Sequence, residues 1–210
     1  VSGAAYQPSM LDLAVDEPSL GALAGLRRHP LSRGAWVDHL PGWVLGSDRV
    51  LEALLAEVPW RAERRTMYDT EVDVPRLLCW YAAHRPLPHP VLTRARAALT
   101  AHYAPELGEP FVTAGMCLYR DGRDSVAWHG DTLGRSAHTD TMVAIVSFGS
   151  PRPLLLRPRG GGPSLRFPLG HGDLVVLGGS CQRTWEHAIP KTTRAVGPRV
   201  SVQFRPAGVA

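Results

Sequence analysis

A mainly β fold of the sandwich or jelly-roll type, with helices from the N-terminal half packed on its sheet, is what the sequence predicts. From Phe111 onward, eight short apolar segments follow one another at regular spacing, divided by Gly and Pro. No helical pattern alternates with them, which argues against a parallel α/β sheet. Upstream, two stretches carry apolar residues at helical spacing. With 210 residues the chain is long enough to bury the core of one large β domain.

Composition narrows the function classes. The hydrophobic fraction of 44% and charged fraction of 20% are those of an ordinary globule. No run approaches the roughly 18 apolar residues of a membrane helix. The first residues, VSGAAYQPSMLDLAVDEPSL, lack the basic start and apolar centre of a secretory signal, so a cytoplasmic protein without a membrane partner is expected. Cys79, Cys117 and Cys181 are odd in number and far apart, which argues for reduced thiols and against a disulfide framework or a zinc knuckle. Of the 23 basic residues 22 are Arg, and the pI is near 9.3. Arginine binds phosphate through a planar fork and stacks on bases, so this balance fits a nucleic-acid partner as well as it fits biased codon usage. A monomer is the expected state.

Residues 1–34 are rich in Pro, Gly, Ala and Ser and read as an N-terminal arm with one short helical turn near Leu20 to Leu26. The remainder, 35–210, reads as one domain with helical support over about 47–103 and a β core over about 111–206. GAWVDHLPGWVLGS gives a strand and a turn; Ser47 can cap a helix whose apolar face is Val50, Leu51, Leu54 and Leu55, stopped by Pro59. WRAERRTMYD, residues 60–69, reads as a solvated basic loop, although its mixture of Arg and aromatic residues also suits a nucleic-acid strand. VPRLLCWYA is a strand, and a second helix runs from Val91 to about Ala101 with Pro90 in its first turn. The eight strands of the β half are AGMCLYR, SVAWH, TMVAIVSF, RPLLLRP, SLRFPL, DLVVLGG, TWEHAI and RVSVQFR.

Three His-x-Asp triplets compete for attention. His129-Gly130-Asp131 follows an aromatic-bearing strand; His138-Thr139-Asp140 sits in a Gly/Ser/Thr-rich loop; His171-Gly172-Asp173 has the form of a hairpin turn opening DLVVLGG. The first, joined by His187 further along, supplies two histidines and a carboxylate, the facial set that holds non-haem Fe(II) with positions left open. Trp185 stands two residues before His187, on the same face of a strand. Arg199 and Arg205 are six apart and also share a face. Inside a barrel two such arginines need an anion, and a small dicarboxylate suits them; on an edge strand they would simply point to water.

LYRDGRDSVAWHGD, IVSFGS, HGDLVVLGG, TWEHAIPK and PRVSVQFR together resemble the AlkB family of Fe(II)- and 2-oxoglutarate-dependent dioxygenases, over roughly residues 70–206. The resemblance implies a double-stranded β-helix, a jelly roll. It implies His129, Asp131 and His187 as iron ligands, Arg199 and Tyr119 at the far carboxylate of 2-oxoglutarate, and Arg205 near its iron-bound end. It also places Arg76, Trp80, Tyr81, Thr132 and Trp185 on the substrate side. The implied activity, with Fe(II), 2-oxoglutarate and O2, is oxidative removal of methyl groups from adenine and cytosine of the 1-methyladenine and 3-methylcytosine type in DNA, releasing formaldehyde, for alkylation repair. The sequence leaves that pattern at Cys117, where the family often has Asn, at Thr132, where repair enzymes carry an acid, and between Tyr81 and Pro90, where a nucleotide-lid hairpin is shortened. A short lid favours single-stranded DNA. RNA or another substrate is the alternative within the class, and a cupin-like metal-binding module the alternative outside it.

Overall fold

The computed structural model describes residues 17–67, 70–131 and 138–209. In chain order the elements are β1 (Ser19–Leu20), β2 (Arg27–Pro30), β3 (Ala35–Leu40), β4 (Val44–Leu45), α1 (Ser47–Glu57), β5 (Arg61–Met67), β6 (Thr70–Tyr81) and α2 (Pro90–Leu107). The C-terminal half follows as β7 (Thr113–Tyr119), β8 (Val126–His129), β9 (Val143–Gly149), β10 (Arg152–Pro158), β11 (Leu165–Leu169), β12 (Asp173–Gly179), α3 (Cys181–Thr184), β13 (Trp185–Ile189) and β14 (Arg199–Arg205). A major sheet of eight strands runs β2-β3-β12-β9-β14-β7-β6-β5, and a minor sheet of four runs β11-β10-β13-β8. Their pairings are antiparallel, as in the expected jelly roll.

Strand alternation sends the two faces of the major sheet into different surroundings. Ala144, Val146 and Phe148 of β9, with Val200, Val202 and Phe204 of β14, pack against the helices in one core. Val143 and Ile145 turn the other way and meet Leu154, Leu156, Phe167 and Leu169 of the minor sheet in a second core. α1 buries Val50, Leu51 and Leu54 on the first core and ends at Val58, whose extended backbone suits the residue before a proline. α2 starts at Pro90, which needs no N–H there, while His89 Nδ1 accepts from Val91 N at 3.2 Å. Gly108, with φ 73°, closes it in the left-handed conformation.

Several expectations change. Ser47 does not cap α1: it is the first helical residue after Gly46, and its Oγ donates to Val44 O at 2.8 Å. Within the basic stretch 60–69, Arg61–Met67 is not a loop but β5, the outermost strand of the major sheet beside β6, and residues 68–69 lie outside the described residues. Its exposed Arg61 and Arg64 suit that position, because charge on an edge strand discourages pairing with another chain. The sheet also begins before residue 35, since β2 pairs with β3 from Arg27↔His39 to Pro30↔Trp36. The helical turn expected near Leu20–Leu26 is a 3-10 turn at Leu23–Gly25.

Candidate active site

β14 explains where the site lies. Its residues 200, 202 and 204 are committed to the helix core, so Arg199, Ser201, Gln203 and Arg205 face the space between the sheets. There they border a cavity of about 520 Å³, with Cys117, Tyr119 and Gly115 of β7 beside them and His129, Asp131 and His187 across from them.

The two histidines are register partners of β8 and β13, with ring centres 4.3 Å apart. One ligand atom from each of His129, Asp131 and His187 falls within 4.8 Å of the others. His129 Nδ1 donates to Ala127 O at 2.8 Å, because a carbonyl can only accept; in the neutral ring that leaves the lone pair on Nε2, where a metal binds. Burial first, and His129 second, push His187 down to about 3, which leaves it neutral at physiological pH. Burial opposes the charge of Asp131, but Arg205, joined in acid by the two histidines once they are protonated, outweighs it and holds the carboxyl well below its usual range. Arg205 grips Asp131 Oδ2 through Nε at 3.1 Å and Nη2 at 2.7 Å. Two imidazoles and an ionised carboxylate on one side of a cavity fit Fe(II).

At the other end stands Arg199, only 1% exposed. Its Nε donates to Ser147 Oγ at 2.9 Å, but its Nη1 has no partner, and among the described residues no carboxylate pairs with it. A buried guanidinium without a counter-charge is expensive, and burial, the largest influence on it, lowers its proton affinity. Tyr119 lies under it, 5.1 Å from ring centre to guanidinium carbon, and burial followed by the neighbouring Cys117 pushes its hydroxyl up to about 12, so it stays an O–H donor. The pair presents N–H and O–H groups that a carboxylate would satisfy.

The residues expected from sequence divide. His129, Asp131, His187, Tyr119, Arg199, Arg205, Arg76 and Trp80 all border the cavity. Tyr81 does not: it is one residue out of phase with Trp80 on β6 and is buried in the helix-side core under Arg85. Trp185 shares a face with His187, but its indole donates to Ser32 O at 3.2 Å and packs in the inter-sheet core without bordering the cavity. Thr132 lies outside the described residues. Residues 83–87, after Tyr81, line a groove with α2 and do not border the cavity, whereas Glu63 of β5 and Arg76, Leu78 and Trp80 of β6 do. His138 is exposed, and His171-Gly172-Asp173 is the structural turn its sequence suggested: His171 Nδ1 accepts from Gly149 N, and Asp173 accepts from Gly42 N and Gly170 N.

Sequence reasoning missed the glycines and the short helix α3. A Cβ at Gly115 would stand 2.7 Å from Arg205 Nη1, so glycine leaves room for that guanidinium across β7. A Cβ at Gly130 would stand 2.6 Å from Gln182 O, and Gln182 Oε1 in turn accepts from Asp131 N at 3.0 Å. The Gly between His and Asp was visible in the sequence, but not the backbone that lies against it.

Comparison with known proteins agrees with this geometry. The model of the 2OG-Fe(II) oxygenase superfamily matches residues 45–205. The human alpha-ketoglutarate-dependent dioxygenase alkB homolog 3 is 32% identical over 190 residues, covering 79% of this chain; the chain spans 64% of that relative's length. The mouse protein of the same name is 31% identical, with 95% of this chain and 76% of the relative covered. The human DNA oxidative demethylase ALKBH2 is 32% identical over 55% of this chain and 46% of its own. Among solved structures, OsALKBH1 superposes with a TM-score of 0.56 at 13% identity, covering 86% of this chain and all of that one. A 2OG-Fe(II) family oxidoreductase from Burkholderia pseudomallei gives a TM-score of 0.57 at 14% identity, covering 83% of this chain and 87% of its own.

Proposed function

The chain belongs to the 2OG-Fe(II) oxygenase superfamily and, within it, to the AlkB homologues, and on that premise we propose that it removes methyl groups oxidatively from N-alkylated bases of the 1-methyladenine and 3-methylcytosine type in DNA, releasing formaldehyde. The observation that carries the reading is the pairing, in one cavity, of a set of two histidines and one carboxylate with a buried guanidinium that lacks a counter-charge. A purely structural metal would need the first and not the second. Fe(II), 2-oxoglutarate and O2 are the cofactor set of this family.

When bound, that set supplies the oxidation: 2-oxoglutarate goes to succinate and carbon dioxide, and the N-methyl carbon gains a hydroxyl and leaves as formaldehyde. The protein's own part is positional. His129, Asp131 and His187 offer three ligands on one side and leave the cavity side open. Arg205 fixes which Asp131 oxygen turns toward the histidines. Arg199 and Tyr119 take the far carboxylate and set the length of acid that fits. Ile145, Leu154, Leu169 and Ile189 line the same cavity with apolar surface, which excludes water from the reacting atoms. Trp80, 45% exposed and 5.9 Å from the Arg205 guanidinium, offers a ring on which a base can stack. An already unpaired base costs least to bring in, so single-stranded DNA is the proposed substrate form.

The test begins anaerobically, with Fe(II) and 2-oxoglutarate added to the protein. The visible charge-transfer band of the chelate is expected, and succinate should form once air is admitted. Neither band nor succinate would sink the dioxygenase reading. A panel of methylated single- and double-stranded DNA and RNA oligomers then reads the substrate from formaldehyde release.

A further inference from the structure

We infer that the groove between the turn after β6 and the first half of α2 carries the phosphodiester backbone of the substrate strand, next to the base-binding cavity; this rests on the nucleic-acid reading above. The groove has a volume of about 610 Å³ and is lined by residues 83–87 and by Pro90, Thr93, Arg94 and Arg96. His84, Arg85, Arg94 and Arg96 stand on its walls, and among the described residues no carboxylate does. Glu57, at the end of α1, is the acidic side chain whose field reaches the neighbouring Tyr81 and His89.

Its place in the fold joins it to the cavity. Trp80 pairs with Gly115 and Tyr81 with Ala114, while Thr113 pairs with Arg205. The chain therefore leaves β6 at the end of the sheet where Trp80, Arg205 and Asp131 stand, opposite the end where Arg199 pairs with Tyr119. From there Arg85 folds back, donating to Trp80 O at 3.2 Å with its guanidinium 4.2 Å over the Tyr81 ring. A strand whose base reaches past Trp80 meets these cations next.

The arginines of this groove are held differently from many on the surface, a manner they share with Arg76 and Arg159. Arg28, Arg120, Arg123, Arg157 and Arg183 are each paired with a carboxylate. In the groove the partners are backbone carbonyls: Trp80 O for Arg85, Pro18 O for Arg94 and Val112 O for Arg96. A carbonyl fixes the side chain without cancelling its charge, and a guanidinium with five N–H donors keeps several for an anion. Three positioned, uncancelled guanidinium groups in one groove repel one another until a polyanion lies among them, and the His84 imidazole stands beside them. The exposed aromatic at the cavity mouth, followed by this wall, is the order that a single strand with one base inserted requires.

The experiment compares a methylated dinucleotide with a methylated single strand of about fifteen nucleotides, a length near the upper end of known site sizes. For Arg85→Ala/Arg94→Ala, binding of the long strand should weaken about tenfold and its salt slope should fall by about 0.7 per arginine. KM for the long strand should rise while kcat, and turnover of the dinucleotide, stay at the wild-type values. His84→Glu removes none of the carbonyl anchors and should weaken long-strand binding in the same direction, whereas Arg166→Ala, at the far edge of the minor sheet, should leave it unchanged. If the double variant and His84→Glu both bind the long strand as wild type does, the groove assignment is overturned and the functional reading stands. If the wild type neither binds nor demethylates any DNA or RNA oligomer, the functional reading fails and the groove with it.

Discussion

The two faces of β14 differ in what completes them. Val200, Val202 and Phe204 are fully buried among α1, α2 and the neighbouring strands, and their stabilisation is finished when the chain folds. One residue out of phase, Arg199, Ser201, Gln203 and Arg205 line a cavity, and Arg199 keeps a buried N–H without a partner. The first face is complete within the chain; the second is complete only with a ligand. The cost of the second face is borne by the first, through a strand that both share.

The strongest way to break this contrast is Phe204→Ala. Deleting a fully buried aromatic should cost about 3–5 kcal/mol of stability, read from denaturant unfolding. Turnover per folded molecule should be little changed. A selective loss of turnover with stability intact would mean that the outer face also shapes the site. The converse substitution, Arg199→Met, removes an unpaired buried charge and keeps its volume. Without 2-oxoglutarate the variant should be at least as stable as the wild type. The gain that saturating 2-oxoglutarate gives the wild type, about 2.7 kcal/mol at a hundredfold excess over Kd, should disappear. A variant still stabilised to the same extent would show that Arg199 does not hold the co-substrate.

Gly115→Ala sharpens the comparison at a smaller scale. The added Cβ falls 2.7 Å from Arg205 Nη1, so the guanidinium must shift and its fork on Asp131 loosens. Metal affinity should drop about 10- to 100-fold, as for other partners that orient a ligand, with secondary structure unchanged by circular dichroism. Titration of the metal-free protein reads the same side of the sheet through pH. His187 is held neutral down to about 3 against an ordinary value of 6.5, so between those values the unfolded chain binds the extra proton. Stability should therefore fall as pH drops from about 6.5 toward 3. Asp131 works in the same direction but later: its depressed carboxyl stabilises the fold above the ordinary range and loses that contribution only in stronger acid. In His187→Gln the earlier part of the decline should be absent.

Much of this was legible in the residues because it depends on local periodicity. The eight C-terminal strands, the spacing of Arg199 and Arg205 on one face, and the choice of His129-Gly130-Asp131 over the other two triplets all follow from alternation and neighbouring residue types, and each reappears in the fold. Period alone could also have warned that Trp80 and Tyr81, adjacent on one strand, cannot both face the cavity. What periodicity cannot carry is the identity of the neighbour across space. That Arg61–Met67 is an edge strand, that Arg205 crosses Gly115 to reach Asp131, that Trp185 turns to Ser32, and that Gln182 holds the backbone of Asp131 are set by contacts between segments far apart in the chain. The residues themselves determined the chemistry available, two histidines, a carboxylate and two arginines on known faces. Only the packing of one sheet against the other decided which of them meet, because distances between strands are fixed by registers and cores that no single segment encodes.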